Sequence, residues 1–149
     1  MTTVKESTMS KSVRQALRRA RFDVCRVENP CEPGFPDIAF KTPDGLIGLL
    51  ELKQRALPKR GATKIDLGLR PEQGAFKATW GSPGPVWTLA LLGDSYILAP
   101  DGRVYLAYND LMDTLLWPPI SKKQMPDKLP RALQRTSLDY YASAVSAVR

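Results

Sequence analysis

The sequence predicts a mixed α/β fold in which a central β-sheet is flanked by helices. Two observations lead to this prediction: strand–turn–strand patterns occur twice, and segments with helix start and stop signals separate them. The length of 149 residues and the 43% apolar content suit a globular protein with a core of its own. We expect one domain over residues 1–117. Residues 118–149 would add a Pro- and Lys-rich connector and a C-terminal helix, packed on the core or on a partner.

The first half of the chain predicts a helix, a short strand and a hairpin. A helix capped by Ser10 or Ser12 is expected to run to Arg21. Its apolar stripe has helical spacing and consists of Met9, Val13, Leu17 and Ala20. The predicted strands are Val24–Val27, Asp37–Phe40 and Leu46–Lys53. A Pro-Asp-Gly turn at residues 43–45 joins the last two strands into a hairpin.

The second half predicts a helix, a second hairpin and two further helices. The first helix is Pro71–Trp80, because proline suits a first helical turn and a Gly- and Pro-rich stretch follows. The predicted strands are Val86–Leu92, paired with Ser95–Leu98 in a hairpin, and Val104–Ala107. A short helix capped by Asn109 or Asp110 ends near Leu116, and Pro130 begins the terminal helix. The apolar face of that helix is approximated by Leu133, Tyr140, Tyr141, Ala144, Val145 and Val148.

The composition excludes several classes of function. The chain has no histidine, which excludes mechanisms that use histidine as base, nucleophile or metal ligand. Two cysteines without histidine argue against a zinc site, and the glycine-rich phosphate loops of ATP-using enzymes are absent. No apolar run approaches the roughly 20 residues that span a bilayer, and no apolar secretory signal opens the chain. We therefore expect a cytoplasmic protein without a membrane partner.

The net charge of +7 is unevenly distributed along the chain. An acidic stretch, residues 27–52, lies between two basic ones, residues 1–26 and 53–70. Acids that bind a cation, next to lysines and arginines that bind phosphates, would produce this pattern on a polyanion-binding protein. We interpret residues 54–69 as a flexible basic loop over the site. Solvated faces on a basic protein are the alternative explanation.

An isolated acid followed by an acid–lysine pair marks the candidate site. Strand side chains alternate between faces, so Glu51 and Lys53 share one face while Leu50 and Leu52 share the other. Burying charge in an apolar strand is costly unless the charge is paired or binds a metal. We therefore predict that Asp37, Glu51 and Lys53 are the catalytic residues of metal-dependent phosphodiester hydrolysis.

Magnesium is the expected cofactor, with manganese as a substitute. Magnesium prefers oxygen ligands and keeps several waters, so two carboxylates and one backbone carbonyl make an adequate site. We expect Asp37, Glu51 and the backbone carbonyl of Leu52 to bind the cation, which lowers the pKa of water and polarises a phosphoryl oxygen. Three roles stay open for Lys53: orienting the attacking water, stabilising the transition-state anion, or acting as a base.

Pro36-Asp37 and then Glu51-Leu52-Lys53, with Gly34 before and Gln54 after, resemble the PD-(D/E)xK nuclease superfamily. The resemblance is closest to its VRR-NUC branch, which is common in bacteriophages and related to Holliday-junction resolvases. It covers about residues 6–98 and implies a restriction-endonuclease-like core, magnesium or manganese, and DNA cleavage. In similar phage proteins a glutamine opens the helix after Glu-x-Lys, a place that Gln73 holds here. A further metal-binding acid is often present, and its candidates here are Glu6 and Glu28.

We interpret the protein as a phage-encoded, magnesium-dependent DNA endonuclease, with branched or otherwise structured DNA as the favoured substrate. The expected DNA-binding residues are Gln73, Arg55, Lys59, Arg60, Lys64 and Arg70. A symmetric homodimer would suit paired cuts, and phage replication, recombination or packaging proteins are candidate partners. Two alternatives stay open: a non-catalytic DNA-binding or structural phage module with the same fold, and an RNA-processing enzyme.

Overall fold

The computed structural model describes residues 3–27, 36–67, 70–80, 85–99 and 107–148. Its helices are α1 (Thr3–Arg19), α2 (Pro71–Trp80), α3 (Tyr108–Asp113) and α4 (Met125–Val148). Its strands are β1 (Asp23–Arg26), β2 (Ile38–Lys41), β3 (Ile47–Arg55), β4 (Val86–Leu92), β5 (Ser95–Ala99) and β6 (Ile120–Ser121). The strands form one sheet in sequence order, in which β3 and β4 are parallel and the other neighbours are antiparallel. The predicted α/β fold with a C-terminal helix is confirmed.

The two faces of the sheet are covered by different elements. Side chains of a strand alternate between the faces, so β3 and β4 contribute to both. One face packs against α1 and α4 in a large apolar core that includes Leu17, Leu50, Leu52, Leu89, Leu129 and Leu133. The other face packs against α3 and the segment before α2, in a smaller cluster that includes Ile65, Leu67, Ala90, Leu92, Ile97 and Leu111. The strand face that carries Glu51 and Lys53 is this second one.

Helix α1 begins at Thr3, not at Ser10 or Ser12 as predicted. Ser10 is buried within the helix, and its hydroxyl accepts a hydrogen bond from Nε of Arg14 at 3.2 Å. The Ser10 hydroxyl thus bonds to a side chain one turn further along, and Ser10 does not cap the helix. The helix ends because Arg21 adopts a left-handed φ of 68° and the N–H of Phe22 bonds to the Leu17 carbonyl. Of the predicted apolar stripe, Met9, Val13 and Leu17 are buried and Ala20 is partly buried.

The segment between β3 and α2 differs from the flexible basic loop that the sequence predicts. Ile65 and Leu67 are buried in the smaller core cluster. The first two N–H groups of α3 donate hydrogen bonds to this segment. The N–H of Tyr108 donates to the Thr63 carbonyl at 3.0 Å, and the N–H of Asn109 donates to the Gly61 carbonyl at 3.2 Å. These backbone bonds satisfy the N-terminus of α3, so α3 begins at Tyr108 without the side-chain cap predicted from Asn109 or Asp110. The segment is therefore held by its apolar side chains, which pack in the smaller cluster, and by its backbone, which bonds to α3.

Helix α4 begins at Met125, so the prediction of a start at Pro130 is wrong. Met125 and Leu129 precede this proline and are buried in the large core. Burying two such side chains stabilises the fold by roughly 1.5–3 kcal/mol each, which offsets the roughly 3 kcal/mol that an interior proline costs. The predicted strand Val104–Ala107 lies almost wholly outside the described residues. No helix within the described ranges is long and apolar enough to cross a membrane.

Candidate active site

Strand β3 brings an acid and a lysine into the interior of the sheet. Glu51 is 3% exposed and Lys53 is 7% exposed, on the face opposite Leu50 and Leu52. Nζ of Lys53 lies 3.6 Å from Oε1 of Glu51. Removing two charges from water is costly, and an ion pair repays that cost only when its remaining groups are also satisfied. The site therefore depends on what surrounds this pair.

Asp37 reaches the same site from the adjacent strand. The antiparallel register pairs Ile38 with Leu50, and its continuation by one residue places Asp37 opposite Glu51. Residues opposite each other in an antiparallel pair have their side chains on one face. Oδ2 of Asp37 accepts a hydrogen bond of 2.8 Å from the N–H of Leu52, which fixes the carboxylate beside β3. The N–H and C=O of a strand residue point to the same neighbouring strand. The Leu52 carbonyl therefore points to the same side of β3 as its N–H, the side on which Asp37 lies.

Gln73, in the first turn of α2, connects the acid and the lysine. Its Oε1 accepts hydrogen bonds from Nζ of Lys53 and from the N–H of Arg70, both at 2.9 Å. Its Nε2 donates to Oε1 of Glu51 at 2.5 Å. The side chain is 5% exposed, so the amide that the sequence predicts as a DNA contact faces Glu51 and Lys53 in the structure. This geometry holds both charged groups in fixed positions.

The surroundings of Glu51 make its carboxyl group difficult to ionise. Burial raises its pKa from 4.5 to about 8, and the nearby negative charge of Asp37 adds to this effect. The ammonium of Lys53 acts in the opposite direction. Oε2 of Glu51 is buried and has no hydrogen-bond partner among the described residues. A positive group that approached Oε2 would therefore favour the ionised form.

The donor set suits a hard divalent cation. Two carboxylates, Asp37 and Glu51, and the carbonyl of Leu52 offer oxygen atoms only, and Oε2 of Glu51 is available. In the part of the chain that the structure describes, no three side chains of the His, Cys, Asp or Glu type converge on one point. The candidates for a further acidic ligand lie outside it: the side chain of Glu6, whose backbone belongs to α1, and all of Glu28.

The predicted basic residues fall into two groups in the structure. Arg55 follows Lys53 on the same face of β3, and the backbone of Arg70 bonds to Gln73, so these two residues flank the site. The side chains of Lys59, Arg60 and Lys64 are exposed on the segment that contacts α3. The first group adjoins the candidate catalytic residues, whereas the second extends the basic surface toward α3.

Thr88 of β4 is a polar residue of the site that the sequence reasoning missed. It pairs with Glu51 across the parallel β3–β4 ladder, it is completely buried, and its hydroxyl has no hydrogen-bond partner among the described residues. A threonine inside the otherwise apolar stretch Val86–Leu92 was a signal in the sequence. Without knowledge that β3 and β4 are neighbours, nothing connected it to Glu51.

Neither a family model nor a curated protein matches this sequence. Among solved structures, the chain is similar to Hjc of Archaeoglobus fulgidus, a Holliday junction resolvase. The TM-score is 0.50 at 11% sequence identity, and the alignment covers 82% of this chain and 95% of the resolvase. At this identity the similarity concerns the fold, a mixed sheet flanked by helices. The chain therefore shares the mixed α/β fold of this structure.

Proposed function

We propose that this protein is a divalent-cation-dependent endonuclease that hydrolyses phosphodiester bonds in branched DNA. One observation carries the proposal: Asp37, Glu51 and Lys53 converge in the sheet, and a buried oxygen of Glu51 has no hydrogen-bond partner among the described residues. Buried charge without full pairing is costly, and a bound cation would remove much of that cost. The shared fold with a Holliday junction resolvase supports branched DNA as the substrate class.

Asp37, Glu51 and the carbonyl of Leu52 would hold the cation, which we propose to be Mg²⁺ with Mn²⁺ as a substitute. Such a cation supplies a water of lowered pKa and polarises a phosphoryl oxygen. Gln73 binds Oε1 of Glu51 and so leaves Oε2 available as a ligand atom. Gln73 also fixes the ammonium of Lys53, which would stabilise negative charge that develops on the scissile phosphate.

Phosphate binding is assigned to the basic residues around the site, in agreement with the net charge of +7. Arg55 and Arg70 flank the catalytic residues, and Lys59, Arg60 and Lys64 would contact DNA further from the scissile bond. A symmetric dimer that makes paired cuts is part of this proposal, because a four-way junction offers two related strands. The VRR-NUC branch, a phage source and the cytoplasmic location stay predictions.

The test is cleavage of a nucleic-acid panel in Mg²⁺ or Mn²⁺ by the wild type and by Glu51→Gln. The panel contains supercoiled plasmid, linear duplex, single strand, flap, four-way junction and a matched RNA. We expect the junction or flap to be cut fastest and Glu51→Gln to lower the rate at least about 100-fold. Asp94→Asn is the matched control, because it removes one carboxylate charge at a side chain that is 95% exposed.

Each alternative corresponds to a definite outcome of this experiment. A wild type that binds DNA without cutting any substrate, with equal binding by Glu51→Gln, would indicate the non-catalytic DNA-binding module. Faster cleavage of the RNA would indicate the RNA-processing enzyme. Cleavage that is equal in the wild type and Glu51→Gln would overturn the assignment of the site.

A further inference from the structure

Thr88 is a buried polar residue whose neighbours within the sheet are mostly apolar. It is 0% exposed, and Ala99 lies opposite it on β5. Val86 and Ala90 precede and follow it on the same face of β4. Its polar cross-strand neighbour is Glu51 on β3. Within the sheet, the neighbours of the threonine are therefore apolar except toward the candidate active site.

Packing alone does not explain a hydroxyl at this position. Valine has nearly the same shape as threonine and would fill the same space without a polar atom. The Thr88 hydroxyl has no hydrogen-bond partner among the described residues, and a buried polar atom without a partner destabilises a fold. Oε2 of Glu51, the residue that pairs with Thr88 on β3, is also buried and has no hydrogen-bond partner among the described residues. Two buried oxygens without partners, on residues that pair across the β3–β4 ladder, are consistent with a shared ligand.

We propose that Thr88 is a positioning residue of the cation site, whose hydroxyl hydrogen-bonds to the hydration shell of a cation held by Asp37 and Glu51. This inference rests on the cation site of the proposed function. Magnesium keeps several of its waters when it binds to proteins, so a hydroxyl beside a carboxylate ligand has water to bind. Residues that contact the ligands or waters of a metal commonly change its affinity about 10- to 100-fold when they are replaced.

The experiment compares cation binding by the wild type, Thr88→Val and Thr88→Ser. Calorimetric titration with Mg²⁺ and with Mn²⁺ gives the Kd, and thermal unfolding with and without cation gives the cation-induced rise in Tm. We expect Thr88→Val to raise the Kd about 10- to 100-fold and to reduce the cation-induced rise in Tm. Thr88→Ser keeps the hydroxyl and should stay close to the wild type. Without cation, Thr88→Val should be at least as stable as the wild type, because it removes a buried hydroxyl that lacks a partner.

Ser137→Ala is the matched control. Ser137 is also completely buried, and its hydroxyl also has no partner among the described residues, but it belongs to α4 on the opposite face of the sheet. This variant should leave the Kd unchanged. Equal Kd values for the wild type and Thr88→Val would overturn the role of Thr88 while the cation site stands. A wild type that binds neither cation would overturn the cation site itself and this inference with it.

Discussion

The two faces of strand β3 have opposite chemistry at the level of Glu51, although both are buried. Toward α1 and α4, β3 presents Leu50 and Leu52 to a continuous apolar core. Toward α2, the alternate residues of the same strand are Glu51 and Lys53, which are almost equally buried. Thr88 and Gln73 complete a polar cluster on that face. One strand thus contributes to the hydrophobic core and to the candidate site at once.

The difference between the faces shows which of them stabilises the fold. Burial of apolar side chains on the α1 and α4 face contributes favourable free energy, whereas a buried ion pair often contributes little or costs free energy. Glu51 retains an unsatisfied oxygen and a raised pKa, so the polar face is the less stable arrangement in the cation-free protein. This contrast predicts that truncating an apolar side chain toward α1 and α4 mainly lowers stability. The polar face should instead make stability depend on pH and should govern the cleavage rate.

The largest expected effect is a loss of stability of the cation-free protein as the pH rises. The pKa of Glu51 is about 8 in the folded state against 4.5 for the ordinary group, so the folded state binds the additional proton between these values. The associated stability is complete below pH 4.5 and is lost as the pH rises toward 8, by up to roughly 5 kcal/mol. Urea unfolding in EDTA across this range measures it.

Glu51→Gln should remove most of that pH dependence, because glutamine does not titrate. Asp94→Asn is the control and should keep the wild-type slope, since Asp94 is exposed. A slope that is equal in the wild type and Glu51→Gln would show that burial of this carboxyl does not govern stability. Excess Mg²⁺ should flatten the wild-type slope, because the cation favours the ionised form.

On the apolar face, Leu50→Ala should lower the free energy of unfolding by about 2–5 kcal/mol. Leu50 is completely buried in the large core, so the substitution leaves a cavity. The cleavage rate per folded molecule should change little, because the side chain points away from the site. Urea unfolding and single-turnover cleavage measure the two quantities. Leu138→Ala, at a half-exposed position of α4, is the control for a leucine truncation. A larger effect on rate than on stability would contradict the division between the faces.

On the polar face, Lys53→Met should lower the single-turnover cleavage rate at least about 100-fold, which corresponds to roughly 2.7 kcal/mol in the barrier. Methionine retains much of the aliphatic stem but removes the ammonium that Gln73 fixes. Lys41→Met is the matched control, because Lys41 pairs with Asp23 at the surface. A wild-type rate in Lys53→Met, with the fold intact by circular dichroism, would exclude this lysine from the chemistry.

The smallest expected effect is that of Gln73→Ala, a decrease in the cleavage rate of roughly 10-fold. Gln73 acts by positioning Glu51 and Lys53, so its loss loosens the site without removing a charge. Gln134→Ala removes a partly exposed glutamine that hydrogen-bonds to Asp44, and it should have no effect on the rate. If Gln73→Ala weakened DNA binding with an unchanged rate of bound-state cleavage, the DNA-contact role predicted from sequence would be favoured over the positioning role.

Local signals in the sequence were sufficient for much of the fold. The bounds of α2 agree with the prediction from Pro71 and the stretch after Trp80, and both hairpins form in the predicted places. The errors occur where tertiary contacts override local signals. Pro130 lies inside α4 because residues before it are buried, and α3 is capped by backbone carbonyls from a distant segment. Residues 54–69 were predicted to be a flexible loop from their basic side chains, and the prediction did not recognise Ile65 and Leu67 as core residues.

The sequence by itself determined that Glu51 and Lys53 share a face and that Asp37 begins a strand which pairs with theirs. The alternation of strand side chains and a short hairpin turn require both, whatever the rest of the fold. Only the tertiary structure decided that β3 pairs in parallel with β4 and that α2 lies over the site. A parallel pair of strands has no short turn that would predict it from sequence, because its strands are joined by a long crossover. The contributions of Gln73 and Thr88 therefore depend on contacts between residues far apart in the chain.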